Sequence, residues 1–572
     1  MPGVSLRERE PFCAEDPGPA QFRRKGAGPC CPWSGNSATI ADCFWRCRTA
    51  ELDPGPRVLL ALLVAVFSVL LGAALSFVPT TSRAVLGYMR TFATLAAVAV
   101  GFTHLLPEAL RALGPLSILL FLAGWFAPAL AHFVGQRSTS GRTQHAVLEA
   151  GYWGLVVHHV ADGIGLGAYT QLPVERGSHF DVIVALAAHT VPLIAVVSLA
   201  YRTTFGARSA VLRSLGLALA SVFGIALSSL VAESTIDRFA PVIAAVAAGL
   251  LLHVVTHDLT EDPARTPWAR SLDLGVAALG VAVSLIGIWS SADPGPRQFG
   301  QALLALSERT ALVTLVALGV AAFSLRLPQQ SSKWARATLP ARVLGAESVL
   351  LSIALFGFAV SGLRLLVTFA ALLLSSAALP EAEADTDAVR QRWRARMNEA
   401  LSSSGPWLSL GLLLGALLSS VPVSLQTGRL SATLPGLGLV ALVASLTPLA
   451  APAAVLIGSG LAALGFSPGA VLLFATVAPL TKLLGPALKA RAMITLLCLL
   501  AAVLCDSLGM SATPLDGALS QGDLGLRAAT VLAILLLIGV WRRGARLWLS
   551  TIVRPPPHEH EHAHDVHGPH AH

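Results

Sequence analysis

Apolar residues in this chain come in long blocks divided by short polar punctuation. Val58 to Ser82, Ala112 to Gln136 and Leu430 to Thr481 contain no Asp, Glu, Lys or Arg. About 20 apolar residues cross the hydrocarbon as a helix, so the last block, 52 residues long, predicts at least two crossings. Up to residue 292 the pattern predicts eight spans, near 58–78, 88–111, 114–133, 146–170, 180–201, 211–232, 239–257 and 272–292. Beyond it, apolar helices are predicted near 305–325, 344–362, 364–379, 404–424, within 430–481, and at 483–505 and 525–541. A mixed-charge stretch, Glu381 to Glu399, predicts a surface amphipathic helix. Pro435, Pro448, Pro452, Pro468 and Pro479 cut the long block into short pieces. Broken helices in mid-bilayer mark transporter binding sites; turns between ordinary short spans are the plainer alternative.

Composition sharpens this into an all-α polytopic membrane protein. Only 13% of the residues are charged and 54% are hydrophobic, with mean hydropathy +0.68, whereas soluble chains carry about 25% charged residues. A soluble enzyme, a nucleic-acid binder and a secreted disulfide scaffold are excluded. The net charge of +8 belongs to loop arginines that set orientation. Arg83, Arg90, Arg137, Arg142, Arg202, Arg208, Arg213, Arg265 and Arg270 fall in odd-numbered loops, and only Arg111, Arg176 and Arg238 in even-numbered ones. The odd loops are therefore expected in the cytoplasm and the N-terminus outside, in a cell membrane, with a bacterial inner membrane as the expected setting.

Four regions follow. Residues 1–56 form a Pro-, Gly- and Arg-rich leader holding Cys13, Cys30, Cys31, Cys43 and Cys47 in no zinc-site spacing, expected to be disordered. Residues 57–292 and 300–546 form two helical bundles. Residues 547–572 form a tail in which His558, His560, His562, His564, His567, His570 and His572 alternate with acidic and small residues. Such a segment binds Zn²⁺ or Ni²⁺ without a core of its own, and Arg542, Arg543, Arg546 and Arg554 place it in the cytoplasm. Cys498 and Cys505, in an apolar helix, read as small core residues.

Histidine is confined to 104–257 and to the tail. In the fourth span His158 and Asp162 are one helical turn apart, and His159 lies about 100° round. His189, in the fifth span, precedes Pro192, which removes a backbone donor and loosens the helix there. Polar groups at membrane depth need a partner or a task, and imidazole with carboxylate suits Zn²⁺ or a similar first-row ion. Hydrogen bonding across a packed bundle is the plainer alternative. His104 with Glu108, around Pro107, and His253 with His257, before Asp258, Glu261 and Asp262, are candidate relay ligands. His145 with Glu149 is a further pair, while His132 and His179 read as loop or interface residues.

Gly101-Phe102-Thr103-His104-Leu105-Leu106-Pro107-Glu108-Ala109, His158-His159-Val160-Ala161-Asp162-Gly163 and His189-Thr190-Val191-Pro192-Leu193-Ile194 together resemble the second-, fourth- and fifth-helix motifs of the ZIP (ZRT/IRT-like) zinc and iron transporters. The resemblance covers roughly 57–292. It implies eight spans, an outside N-terminus and a transported metal held by His158, Asp162 and His189, with His159 where the family usually has Asn. Both fifth-helix glutamates of the family are replaced, by Thr190 and Ile194, which leaves Asp162 as the sole central carboxylate and implies one ion, not two. Ser404-Gly405-Pro406-Trp407, Pro448-Leu449, Ser467-Pro468-Gly469-Ala470 and Ala478-Pro479 resemble a permease family that includes organoarsenical efflux permeases. That family's Cys-Ser-Cys turn is replaced by Ala450-Ala451-Pro452.

The expected function is transmembrane transport of a divalent transition metal, zinc foremost, through the first bundle. The ion is substrate and no cofactor is required. Metal ions and the lipid bilayer are the expected partners, nucleic acid is not, and a homodimer is compatible with the pattern. The alternatives are an exporter with its substrate site in the second bundle, the first bundle serving as a metal-sensing or structural partner, and an intramembrane zinc hydrolase. The second lacks a His-Glu-x-x-His helix, so the chain is not expected to be an enzyme.

Overall fold

The computed structural model describes residues 54–77, 83–114, 116–136, 143–171, 180–230, 239, 241–246, 248–249, 252–253, 266–290, 294–324, 332–374, 393–421, 430–484, 487–512 and 523–553. The leader cysteines, His179, His257 with its acidic neighbours, and the seven tail histidines lie outside these residues. So do the side chains of His104, His132, His145 and His189, whose backbones are helical.

Every described element is a helix, and eight of the described helices are long and apolar enough to cross a membrane. The chain is a multi-pass helical membrane protein. The first bundle contains α1 (Pro54–Ser76), α2 (Arg83–Val100), α3 (Leu106–Leu113), α4 (Leu116–Gln136), α5 (Thr143–Gln171), α6 (Phe180–Phe205), α7 (Ala207–Leu230) and α8 (Pro267–Ser290). Leu59, Leu63 and Phe67 on α1, and Leu212, Leu215, Leu219 and Phe223 on α7, are exposed stripes one turn apart, as lipid-facing surfaces require.

Two local features depart from the pattern read in the sequence. The arginine-bearing loop expected between 201 and 211 is reduced to Gly206, whose φ of +88° only glycine adopts without strain. Between α2 and α3, Gly101–Leu105 forms a turn of π-helix. Pro107 has no N–H to give the preceding turn, and the ladder there widens, with Leu106 N–H donating to Gly101 O. His104 sits in that π-turn. Pro192, by contrast, leaves α6 an unbroken helix.

The second bundle contains α9 (Pro294–Ser324), α10 (Ser332–Leu374), α11 (Trp393–Ser419), α12 (Leu434–Leu446), α13 (Ala451–Ala463), α14 (Pro468–Leu484), α15 (Leu488–Ser507), α16 (Asp523–Arg543) and α17 (Ala545–Val553). The expected surface helix at 381–399 is, in its described part, the first turns of α11. The two helices expected at 344–362 and 364–379 lie within α10 and divide at Gly357, earlier than expected. Gly345 (φ +67°) and Gly357 (φ +74°) break α10. Across Gly357, Ser352 Oγ lies 2.9 Å from Ser361 Oγ, and Arg364 Nη2 donates to Ser348 Oγ at 2.8 Å. These bonds join residues at similar distances on either side of the break, so 346–356 and 358–374 run antiparallel as a hairpin.

A second fold-back lies in the proline-cut block. The Ser467 N–H donates to Ser431 Oγ (2.9 Å) and the Leu449 N–H to Ala478 O (3.3 Å). Ser431 and Ser467, at the outer ends of α12 and α13, are therefore level, and the turn at 447–450 lies against α14. At 13 residues each, α12 and α13 are about 20 Å long, short of the ~30 Å hydrocarbon. The block thus does not divide into two plain crossings. Asp506 fixes the start of α14, accepting from Ser467 Oγ (2.8 Å) and the Gly469 N–H (2.7 Å) at the positive helix end.

The two bundles share a core. Phe102, Leu106 and Leu110 pack with Phe299, Leu306 and residues as distant as Leu532. Cys498 and Cys505 are buried in the same core as free thiols. At one end α17 closes the two bundles together. Arg546 Nε donates to Thr91 Oγ1 (3.1 Å), which donates to Asp273 Oδ1 (2.7 Å), all three residues being buried. Trp541 Nε1 donates to Ser271 Oγ (3.0 Å), and Trp548 is buried against Gly405 and Gly539. Packed helix therefore continues to Val553, into the segment expected as tail. The ends of α2 and α8 and the chain beyond α16, all expected on the cytoplasmic side, do meet on one side. Truncation after Val553 is expected to leave the thermal unfolding midpoint in detergent unchanged. Truncation after Arg543, or Arg546→Met alone, should lower it, the single substitution costing about 1.5–3 kcal/mol of stability, since a charged donor to a buried hydroxyl is lost.

Candidate metal centre

The polar cluster read in the fourth span lies midway along α5, the 29-residue helix Thr143–Gln171. His158 and His159 are 3% and 2% exposed. The one-turn spacing brings His158 Nε2 to 3.3 Å from Asp162 Oδ2, and the two imidazole centroids are 5.8 Å apart. His159 turns toward α7, with Nδ1 3.0 Å from Ser221 Oγ.

Ser221 was not legible as part of this site, because one serine in an apolar helix carries no spacing signal. Its hydroxyl lies 3.3 Å from Leu217 O as well, and it has one proton to give. When that proton goes to Leu217 O, Nδ1 of His159 is the donor and Nε2 bears the lone pair. This is the usual arrangement by which an outer partner orients a metal-binding imidazole.

The placement of Ser221 depends on how closely α5 and α7 approach. A Cβ on Gly163 would stand 2.3 Å from Ser221 O, and one on Gly224 would stand 2.2 Å from Val160 O. The backbones touch because neither position has a side chain, the small-residue packing that holds helices together in lipid. Toward one end of the same interface, Arg213 Nη2 and Glu149 Oε1 pair at 2.6 Å, and the guanidinium covers the Tyr152 ring at 4.5 Å. Glu149, expected beside His145, thus serves as an α5–α7 tie.

The remaining candidates are distributed as follows. Among the described residues, no three His, Cys, Asp or Glu side chains form a metal-sized group. The backbone of His189 lies on α6, beside the crossing where α1 approaches α6: a Cβ on Gly72 would stand 2.4 Å from Val191 O. Leu193 and Ile194 are buried with Leu155 of α5 and Val69 of α1, so the face of α6 one turn beyond His189 is core. Glu108 lies in the first turn of α3, just after the π-turn. His253 packs edge-on against Trp125 of α4, centroids 5.9 Å apart.

No family model matches the chain, and no curated protein or solved structure matches it either.

Close packing at Gly163 makes a direct expectation. Gly163→Ala should destabilise the protein by about 1–3 kcal/mol, the usual cost of overpacking, because the new methyl meets backbone atoms that cannot rotate away. Gly154→Ala on the same helix, with open space around it, should be neutral. Unfolding midpoints of the two variants in detergent check this.

Proposed function

We propose that this protein transports a divalent transition-metal ion, zinc foremost, through its first bundle, with His158, His159 and Asp162 on its path. The observation that carries the reading is the pair of buried imidazoles and one carboxylate in the middle of a membrane-length helix. Such groups are costly in hydrocarbon and mark ion pathways. The motif resemblance to ZIP transporters supports the same assignment and adds His189 as the fourth ligand.

The chemistry follows from the donors. A borderline cation entering a low-dielectric bundle exchanges water for imidazole nitrogen and carboxylate oxygen. Asp162 supplies the anionic ligand, and an ion binding there takes over the 3.3 Å contact between His158 and Asp162. His159, oriented by Ser221, offers Nε2 from the flank. One carboxylate among these residues suits a single ion that must also leave. His104 with Glu108, and His253 with His257, are assigned as relay positions, and the tail as a cytoplasmic metal buffer. Ligation needs unprotonated imidazole, so binding weakens as pH falls.

The test uses protein truncated after Val553, which removes the tail histidines. In proteoliposomes the truncated protein should take up zinc, and His158→Ala or Asp162→Asn should abolish that uptake while leaving the unfolding midpoint near the parent's. Ser221→Ala should weaken zinc binding by about 10–100-fold, as loss of an outer partner does. Undiminished zinc binding in both His158→Ala and Asp162→Asn would overturn the assignment.

A further inference from the structure

The second bundle contains a buried cation that metal transport does not use. Arg364, on the second arm of the α10 hairpin, is 1% exposed. Its three nitrogens all donate to neutral oxygens: Nε to Ala475 O (3.2 Å), Nη1 to Ser348 O (3.3 Å) and Nη2 to Ser348 Oγ (2.8 Å). Among the described residues no carboxylate pairs with it. Glu347, next to Ser348 in the chain, accepts instead from Ser404 Oγ at 2.7 Å, and Asp506 is committed to the start of α14.

Part of this arrangement has a structural cause. Pro479 inside α14 cannot donate to the carbonyl four residues earlier, that of Ala475, and Arg364 fills the vacancy. A neutral amide would fill it equally well. A guanidinium stays charged, and burying a charge without an opposite one costs several kcal/mol. Its five N–H groups also exceed the three bonds made.

The position is the more telling because both fold-backs reach it. Arg364 meets α14 at Ala475, and the turn between α12 and α13 meets it at Ala478, one helical turn away. Ser352, Ser361, Thr368 and Thr476 add buried hydroxyls to the same hairpin and helix. Interrupted helices meeting beside an intramembrane charge are the architecture of substrate sites in secondary transporters.

We infer that Arg364 is the anion-recognising residue of a substrate site in the second bundle. The ligand class is a small anion with two oxygens to accept the guanidinium fork, a carboxylate or an inorganic oxyanion. Access requires the hairpins to part, since Arg364 is closed off in this conformation.

The experiment uses the full chain in lipid nanodiscs and three tracers, sulfate, phosphate and malonate, which separate inorganic from organic sources. At least one should bind saturably. Arg364→Gln, which keeps a donor for Ala475 O but loses the charge, should weaken that binding by about tenfold to a hundredfold. Arg364→Lys should lose less, and Ser348→Ala, which leaves the buried charge in place, should weaken it measurably. Zinc uptake should be unaltered in Arg364→Gln, and anion binding unaltered in His158→Ala, so the two sites fail or stand separately. Absence of saturable binding of all three anions, or equal binding by the parent, Arg364→Gln and Arg364→Lys, would overturn the inference.

Discussion

A backbone in hydrocarbon has no water to bond, so each break in a helix must find its partner inside the protein. That condition organises several irregular points among the described residues. Where Pro107 withholds a donor, the ladder widens to a π-turn and Leu106 N–H reaches Gly101 O. Where Pro479 withholds one, the Arg364 guanidinium supplies it to Ala475 O. Where α12 ends, the Leu449 N–H finds Ala478 O, and where α14 begins, Asp506 receives its first donors. At each of these four points the irregular backbone has a polar partner in reach.

The same economy explains the candidate metal centre. His159 and Ser221 satisfy one another only because α5 and α7 approach to backbone contact at Gly163 and Gly224. A helix pair held this closely fixes an imidazole orientation without a loop. The second bundle uses a different device, two fold-backs, of which the one made by α12 and α13 has arms shorter than the hydrocarbon is thick. Between the bundles, Phe102, Leu106 and Leu110 are shared core, and the Arg546–Thr91–Asp273 chain of bonds ties the last helix to the first bundle.

The sequence by itself determined the class of protein and the helices. Uncharged blocks long enough to span hydrocarbon leave no other solution for the backbone, and the first-bundle spans other than the seventh, which lies largely outside the described residues, fall within a few residues of their expected bounds. The one-turn spacing of His158 and Asp162 likewise fixed their contact, since three or four residues along a helix is always the same face. Tertiary structure alone decided what lies across from a helix. Ser221 beside His159, Trp125 beside His253 and Arg213 on Glu149 each join residues of different helices, and periodicity says which face is inward but not what it meets. It also decided where chain direction reverses. Gly206 and Gly357 look like any glycine in an apolar run, and only their positive φ, held by packing on both sides, turns one into a hinge and the other into the tip of a hairpin. Arg364 reads in sequence as an interruption of hydrophobic pattern; its meaning comes from Pro479, 115 positions away, because a missing donor on one helix has to be supplied by whatever the fold brings beside it.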